Sequence, residues 1–347
     1  MREIGSEFPY QVNNINKCID LPQGVKDYAF VFSGRTAIEL VLENEPNIKK
    51  VMLPSYCCDS MIEPFRKSGI KVCFYNVNYE NGLNIDIMIP RDVDALLWCN
   101  YFGYKVKMPD FTDFVNRGGI IIEDITHSFY SVHKYDEQSK YLIASIRKWE
   151  PILCGGYCAS TKSELKYVPS RLPDEDFVTN RKVAMLLKKE YLTDDSFIEK
   201  EQFLKKYEYC NEWLSKNYSK LAIDEESIEI LTHTDSEKNF TQRRKNAMIL
   251  HENLKNSNFV KLLFDENEIE CPLFVPIVVD CNERNDMRSF LSNHRIYCPV
   301  HWPHPNEECV SNLYDMEISL VCDQRYSETD MMRIVKTIKK YEEINGK

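Results

Sequence analysis

Residues 118–161 read GGIIIEDITHSFYSVHKYDEQSKYLIASIRKWEPILCGGYCAST, and this stretch decides the fold. An apolar run, Ile120, Ile121 and Ile122, ends in the acidic pair Glu123 and Asp124, and His127 follows three residues after Asp124. Next comes a polar, tyrosine-rich segment. A second apolar run leads into Ser145, Arg147 and Lys148, and Gly155-Gly156 opens a third. Buried strands that end in single polar groups are how a parallel α/β sheet presents chemistry at its carboxyl edge. A lysine just after such a strand can be partly desolvated, which frees its amine to attack a carbonyl. A strand-end carboxylate can hold a heteroaromatic nitrogen protonated. Lys148 and Asp124 are thus candidates for the two protein groups that pyridoxal phosphate requires, a Schiff-base lysine and a pyridinium partner. The plainer reading is a solvated surface lysine and an aspartate that caps a helix.

Upstream, residues 28–32 form a short apolar strand, followed by Ser33-Gly34-Arg35-Thr36 and a helix over 37–43. A strand, a small-residue turn and a helix start make an anion site, because free backbone N–H groups and the helix dipole point at the ligand. Arg35 adds a charged, forked donor. A plain N-cap by Ser33 or Thr36 explains the turn equally well. Residues 50–53 are another strand, stopped by Pro54-Ser55-Tyr56-Cys57-Cys58; a helix spans 59–68 with Gly69 just past its end. Strands follow at 72–77 and 95–99, separated by an irregular polar link over 78–92, and a helix covers 111–116. Strands that alternate with helices predict a parallel sheet with helical crossovers.

Downstream the texture changes. Residues 178–191, 197–217 and 240–254 are charged and helical in period, with Arg243-Arg244-Lys245 read as a solvated face. A strand over 271–279, a helix over 285–293, a strand over 296–300 and a closing helix over 327–341, capped by Ser327, complete the chain. The expected organisation is an N-terminal arm (1–24), a large α/β domain with a mostly parallel central sheet (25–215) and a smaller C-terminal α+β domain (216–347).

Composition bounds the function. The 347 residues are 43% hydrophobic and 28% charged, ordinary for a globular protein. A formal charge of −10 argues against a general nucleic-acid binder. No apolar run approaches the ~20 residues of a membrane span, and the start MREIGSEFPY lacks the pattern of a signal peptide. The 13 cysteines are odd in number and scattered through apolar runs, as expected for buried thiols in a reducing cytoplasm. Cys298, His301, His304 and Cys309 stand close together, but Pro299, Pro303 and Pro305 between them do not make a zinc-ribbon turn and a second ligand pair is missing. No metal is expected.

In order and spacing these segments resemble the fold-type-I pyridoxal phosphate enzymes, and in particular the DegT/DnrJ/EryC1/StrS family of sugar aminotransferases. SGRTAIEL resembles that family's phosphate-site turn, LPSYCCDSMIEPFRKSGIKVCFYNV its next strand end, helix and strand, IIIEDITHS its acidic-pair strand, and SIRKWEPILCGGYCAS its lysine segment. RIYCPVHWPHP and SLVCDQRYSETDMMRIV resemble its small domain, so the likeness spans most of residues 28–340. It implies that Lys148 is the Schiff-base lysine and that Asp124 holds the pyridine nitrogen. His127, where the family usually has Gln, would sit near the ring's 3-hydroxyl. Gly34, Arg35 and Ser145 would cradle the phosphate, and Tyr56 and Cys58 would lie over the ring face. His301 and His304 would lie near the domain junction, either to meet substrate or to serve the structure alone. Three features depart from the family pattern and mark a divergent branch. They are SGR in place of SGT, Cys58 where an aromatic is common, and a lysine segment about two residues short.

The function implied is a cytoplasmic transaminase that moves an amino group from a donor, by resemblance glutamate, to a keto sugar, by resemblance nucleotide-linked, in surface-polysaccharide or secondary-metabolite synthesis. A related branch that dehydrates carries His in place of the lysine, so Lys148 favours transamination. The resemblance also implies a homodimer and small-molecule substrates, with neither nucleic acid nor membrane as partner. Two alternatives stand beside it: another pyridoxal phosphate reaction, such as elimination or decarboxylation of an amino acid, and a scaffold that keeps the fold without the chemistry.

Overall fold

The computed structural model describes residues 2–131, 135–194, 199–305 and 309–346. The strands are β1 (Ile4–Gly5), β2 (Asp27–Val31), β3 (Lys50–Pro54), β4 (Lys71–Tyr79), β5 (Leu83–Asp86), β6 (Ala95–Cys99), β7 (Ile120–Asp124), β8 (Tyr141–Ala144), β9 (Gly156–Ser160), β10 (Lys261–Leu262), β11 (Phe274–Val278), β12 (Ile296–Tyr297) and β13 (Glu317–Val321). The helices are α1 (Gly34–Asn44), α2 (Asp59–Lys67), α3 (Thr112–Asn116), α4 (Glu175–Thr193), α5 (Lys200–Asn217), α6 (Glu225–Leu231), α7 (Ser236–Leu254), α8 (Arg284–Asn293), α9 (Leu313–Met316) and α10 (Glu328–Ile344).

Eight strands form one sheet in the order β2-β9-β8-β7-β6-β3-β4-β5. The run β8-β7-β6-β3-β4 is parallel, while β9 lies antiparallel between β8 and β2, and β5 antiparallel on the edge. The sheet is therefore mixed and mostly parallel. Its central strands read ALLWC, IIIED and YLIA and are almost wholly buried, because helices cover both faces of a parallel sheet and leave no polar alternation. Since β2 opposes β9 and β9 opposes β8, β2 runs parallel with β8. The carboxyl ends of β2, β3, β6, β7 and β8 therefore share one edge. A second sheet, β10-β11-β13, is antiparallel and packs with α7 and α8, on which α10 lies.

The structure departs from expectation at five places. The polar link over 78–92 contains β5, which forms a hairpin with an extended β4; Asn81 and Gly82 at its turn have φ of 58° and 151°, values that Asn and Gly adopt with least strain. The N-terminal arm is pinned, since β1 pairs in parallel with β12. Gly5 there has φ +101°, and a Cβ would lie 2.2 Å from Tyr297 O. The strand expected over 296–300 keeps only Ile296–Tyr297, and the one over 271–279 only Phe274–Val278; Pro299 and Pro272, which lack an N–H, stand just outside. The start of the helix expected at 197 lies outside the described residues. The solvated face expected at Arg243-Arg244-Lys245 is solvated at Lys245, but Arg243 is buried. The helical period puts Arg243 on the inward face of α7 with Asn246, Ala247, Leu250 and Leu254.

Candidate functional site

Two cavities meet at the carboxyl edge of the sheet. The smaller, about 110 Å³, lies among the ends of β2, β6, β7 and β8 and the starts of α1 and α2. Asp124 enters it because alternation along β7 turns Glu123 to the other face. There Glu123 accepts hydrogen bonds from Asn100 Nδ2 (2.8 Å) and Ser139 Oγ (2.6 Å). Asp124 Oδ1 accepts from Thr126 N at 2.8 Å, an Asx turn that closes the strand. Burial pushes the Asp124 carboxyl up, opposed by the Thr126 hydrogen bonds and the Lys148 charge.

Thr126 ties the next strand to this one. Its Oγ1 accepts from Ser145 N at 3.0 Å, and its carbonyl accepts from Trp149 Nε1 at 2.7 Å. These bonds fix the turn Ile146–Lys148 after β8, which carries Lys148 into the cavity. Across from it, Ser33 caps α1 by accepting from Thr36 N at 3.2 Å. Ser145 packs on the start of that helix, where a Cβ on Gly34 would lie 3.3 Å from Ser145 Cβ. Ser33 takes the N–H groups of Thr36 and Ala37, and the helix offers no partner to those of Gly34 and Arg35, so two backbone donors stand beside the Ser145 hydroxyl. The Arg35 side chain lines the cavity, yet its Nε is engaged by Glu63 at 2.8 Å.

His127 closes the cavity from above, with Nε2 3.4 Å from Lys148 Nζ. Its Nδ1 accepts from Phe102 N at 3.4 Å, so in the neutral ring Nε2 carries the proton. Burial first, then the Lys148 and His301 charges, push its pKa well below the ordinary histidine value. The Trp302 ring stacks on His127 at 5.3 Å and 25° and also lines the cavity.

The larger cavity is a cleft of about 720 Å³, walled by the β1 segment, α7, α8 and the small sheet. Lys148 and Arg147 line both cavities. Burial lowers the Arg147 pKa, opposed by Glu7. His301 lines the cleft, with Nδ1 2.7 Å from Ser319 Oγ and its backbone N–H donating to Glu317 Oε2 at 2.7 Å.

Of the residues expected from the sequence, Gly34, Arg35, Cys58, Asp124, His127, Ser145 and Lys148 line the small cavity. Tyr56 does not: it is fully buried behind Trp302, 5.0 Å from that ring and 5.9 Å from Tyr101. His304 lies away from both cavities, largely exposed and paired with Asp315 at 3.3 Å. Cys298, His301 and His304 do not converge, and among the described residues no group of three or more His, Cys, Asp or Glu could hold a metal. Thr126 and Trp302 were not singled out from sequence. An Asp-x-Thr turn at a strand end could have flagged Thr126; nothing local flags Trp302, which reaches His127 from 175 positions away in the chain. No described helix is long and apolar enough to cross a membrane, and only Cys18 and Cys281 of the cysteines are exposed.

No protein-family model and no curated protein matches the chain. Solved structures do. The sugar aminotransferase CalS13 from Micromonospora echinospora aligns with a TM-score of 0.63 at 15% identity, covering 90% of this chain and 87% of that one. A DegT DnrJ EryC1 StrS aminotransferase from Brucella abortus aligns at 0.61 and 15%, covering 92% and 86%. This chain has the fold-type-I aminotransferase fold. A third neighbour, NtdA from Bacillus subtilis with bound cofactor PMP, aligns at 0.58 and 13%, covering 90% and 73%. In open α/β sheets ligands bind outside the carboxyl ends of the strands, and both cavities lie at that edge.

Proposed function

We propose that this protein is a pyridoxal phosphate-dependent aminotransferase that takes an amino group from an amino donor, glutamate by resemblance, and passes it to a keto sugar carried on a nucleotide. The observation that carries the reading is the position of Lys148 in the wall between a small cavity that holds Asp124 and a larger, cation-rich cleft.

The donor set fits the cofactor. Pyridoxal phosphate needs an amine, an anion for its ring nitrogen and a phosphate cradle. Lys148 supplies the amine and Asp124 the anion. The start of α1 at Gly34 and Arg35, together with the Ser145 hydroxyl, supplies donors for the phosphate. The close packing of Gly34 on Ser145 supports this, because a side chain on Gly34 would crowd the place between them. Bound there, the cofactor supplies an aldehyde that condenses with amines and a ring that takes up electrons from the donor's α-carbon.

The chain's own groups do the rest. Asp124 keeps the ring nitrogen protonated and the ring electron-poor. The Lys148 amine would move the proton at the donor's α-carbon. His127 orients the Lys148 amine through Nε2–H, and it stays neutral because burial disfavours its cation. The cleft on the far side of Lys148 receives donor and acceptor in turn. A homodimer belongs to this proposal, with light scattering as its test.

The test is the visible spectrum of protein reconstituted with pyridoxal phosphate, before and after glutamate, beside Lys148→Ala. A band that requires Lys148, is bleached by glutamate and returns with a keto acid supports the reading. A band that a keto acid fails to restore points to a lyase or decarboxylase. No Lys148-dependent band in folded protein contradicts cofactor chemistry and leaves a scaffold.

A further inference from the structure

We infer that Glu317 and Ser319 are positioning residues. With His301 they form a buried relay that presents a neutral ring N–H to the cleft beside Lys148, where it takes an uncharged oxygen, the carbonyl of the keto acceptor. The carbonyl assignment rests on the aminotransferase reading; the relay does not.

Three side chains make the relay. Glu317 and Ser319 stand two residues apart on β13 and so share one face of the strand. They are 1% and 0% exposed. Glu317 Oε2 accepts from the His301 backbone N–H at 2.7 Å. Its Oε1 meets Ser319 Oγ, and Ser319 Oγ meets His301 Nδ1 at 2.7 Å. The His301 ring stands edge-on to His127 (centroids 5.1 Å apart, 86°), Phe102 (5.6 Å, 88°) and Trp302 (5.4 Å, 81°), which fixes its orientation. Its Nε2 makes no hydrogen bond among the described residues, and the residue lines the cleft with Lys148.

The sense of the relay follows from counting protons. Burial holds the Glu317 carboxyl up at about 8, opposed by the His301 N–H, Ser319 and the Arg284 charge. At neutral pH it is a protonated acid. Oε2 already accepts, so the acid proton sits on Oε1 and goes to Ser319 Oγ. Ser319 has one proton to give, and it goes to His301 Nδ1. The ring proton is left on Nε2. His301 stays neutral, by burial first and then by the Lys148 charge. His127, Tyr56 and Cys298, which also pack about the relay, are held neutral mainly by burial. The charges that act on the relay are those of Arg284 and Lys148.

As pH rises through about 8 the sense reverses. Glu317 passes its proton to Ser319, Ser319 passes its own to Nδ1, and one proton leaves for solvent from Nε2. His301 then shows the cleft a bare nitrogen, which repels a carbonyl oxygen. Arg147 and Lys148 in the same cleft are cations and suit the anionic parts of a ligand. The neutral N–H beside them suits an uncharged oxygen.

The first test is nitrogen NMR of the full chain labelled at histidine, without cofactor; the His301 signals are those lost in His301→Gln. At pH 7 the proton is expected on Nε2, and the Nδ1–H form takes over as pH rises through about 8. Glu317→Gln, whose amide N–H still donates to Ser319, holds the Nε2–H form throughout. An Nδ1–H form at pH 7, or a reversal that persists in Glu317→Gln, overturns the relay. The second test follows return of the cofactor band after glutamate, with 2-oxoglutarate as the carbonyl probe. In wild type the 2-oxoglutarate concentration for half-maximal rate should rise about tenfold between pH 7 and pH 9. Glu317→Gln should remove that rise, and Ser319→Ala should need about tenfold more already at pH 7. Thermal melts establish that each variant is folded; a merely structural role lowers the melting temperature and leaves the pH profile alone. Equal profiles for wild type and Glu317→Gln overturn the carbonyl assignment. Tautomer reversal in a protein with no Lys148-dependent band contradicts the aminotransferase reading and leaves the relay standing.

Discussion

Lys148 Nζ lies 3.4 Å from His127 Nε2, and His127 is held from its other side by the Phe102 backbone N–H. The amine is thus oriented by a buried neutral ring rather than by a carboxylate. His127→Ala removes this contact. It should keep the cofactor band and slow bleaching by glutamate roughly tenfold to hundredfold. His127→Gln, which retains an amide N–H, should recover most of the rate. Stopped-flow absorbance distinguishes the cases, and an unaltered rate in His127→Ala contradicts the role.

Asp124→Asn keeps the hydrogen bond from Thr126 N, since the amide oxygen accepts as the carboxylate does, but removes the charge. The fold should survive. The rate of glutamate bleaching should fall by about 10²–10³, the scale of losing one charge-stabilising group at a reacting centre. Equal rates in Asp124→Asn and wild type place the ring nitrogen elsewhere.

Gly156 sits where β9 passes the start of α1, and a Cβ there would lie 2.2 Å from Ser33 O. Gly156→Ala must push the Ser33–Gly34 turn aside. We expect a stability loss of about 1–3 kcal/mol in urea denaturation and weaker cofactor binding in equilibrium dialysis. Ser145→Ala should weaken cofactor binding without the stability loss, which separates cradle from framework. Unaltered cofactor affinity in both variants contradicts the phosphate assignment.

Glu317 is buried beneath His301, and burial raises its pKa from 4.5 to about 8, opposed by the His301 N–H and Ser319. Between those values the folded state holds a proton that the unfolded chain has released. This stability is fully present below pH 4.5 and is lost as pH rises through about 8. Glu150, raised to about 7 mainly by burial, acts with the same sign. Glu317→Gln should therefore flatten, without abolishing, the fall in stability between pH 5 and 8, by an amount on the order of a few kcal/mol. Parallel urea profiles for variant and wild type across that range contradict the assignment.

Much of the fold was legible because β6, β7 and β8 are continuous apolar runs that end in polar residues, a local signal of a buried parallel strand. The closing helix was legible from Ser327, which forms a capping box with Asp330. The hairpin of β4 and β5 was marked by Asn81-Gly82 and passed over, because the charged and polar residues around it masked a short edge strand. Arg243 was misread for a similar reason. Three adjacent cations look solvated, yet its spacing from Asn246, Leu250 and Leu254 already put it on the buried stripe. Other parts are beyond local reading. Trp302 meets His127 only through tertiary packing, and Tyr56, placed by its motif near the site, is displaced behind Trp302 by the ring cluster with Tyr101 and Tyr314.

The most direct test of the central claim, that Lys148 carries the cofactor, is borohydride trapping. Protein loaded with pyridoxal phosphate is reduced, digested and read by mass spectrometry. The account predicts a stable cofactor adduct on the peptide containing Lys148, lost in Lys148→Ala. An adduct on a different lysine, or none in folded and loaded protein, would contradict it.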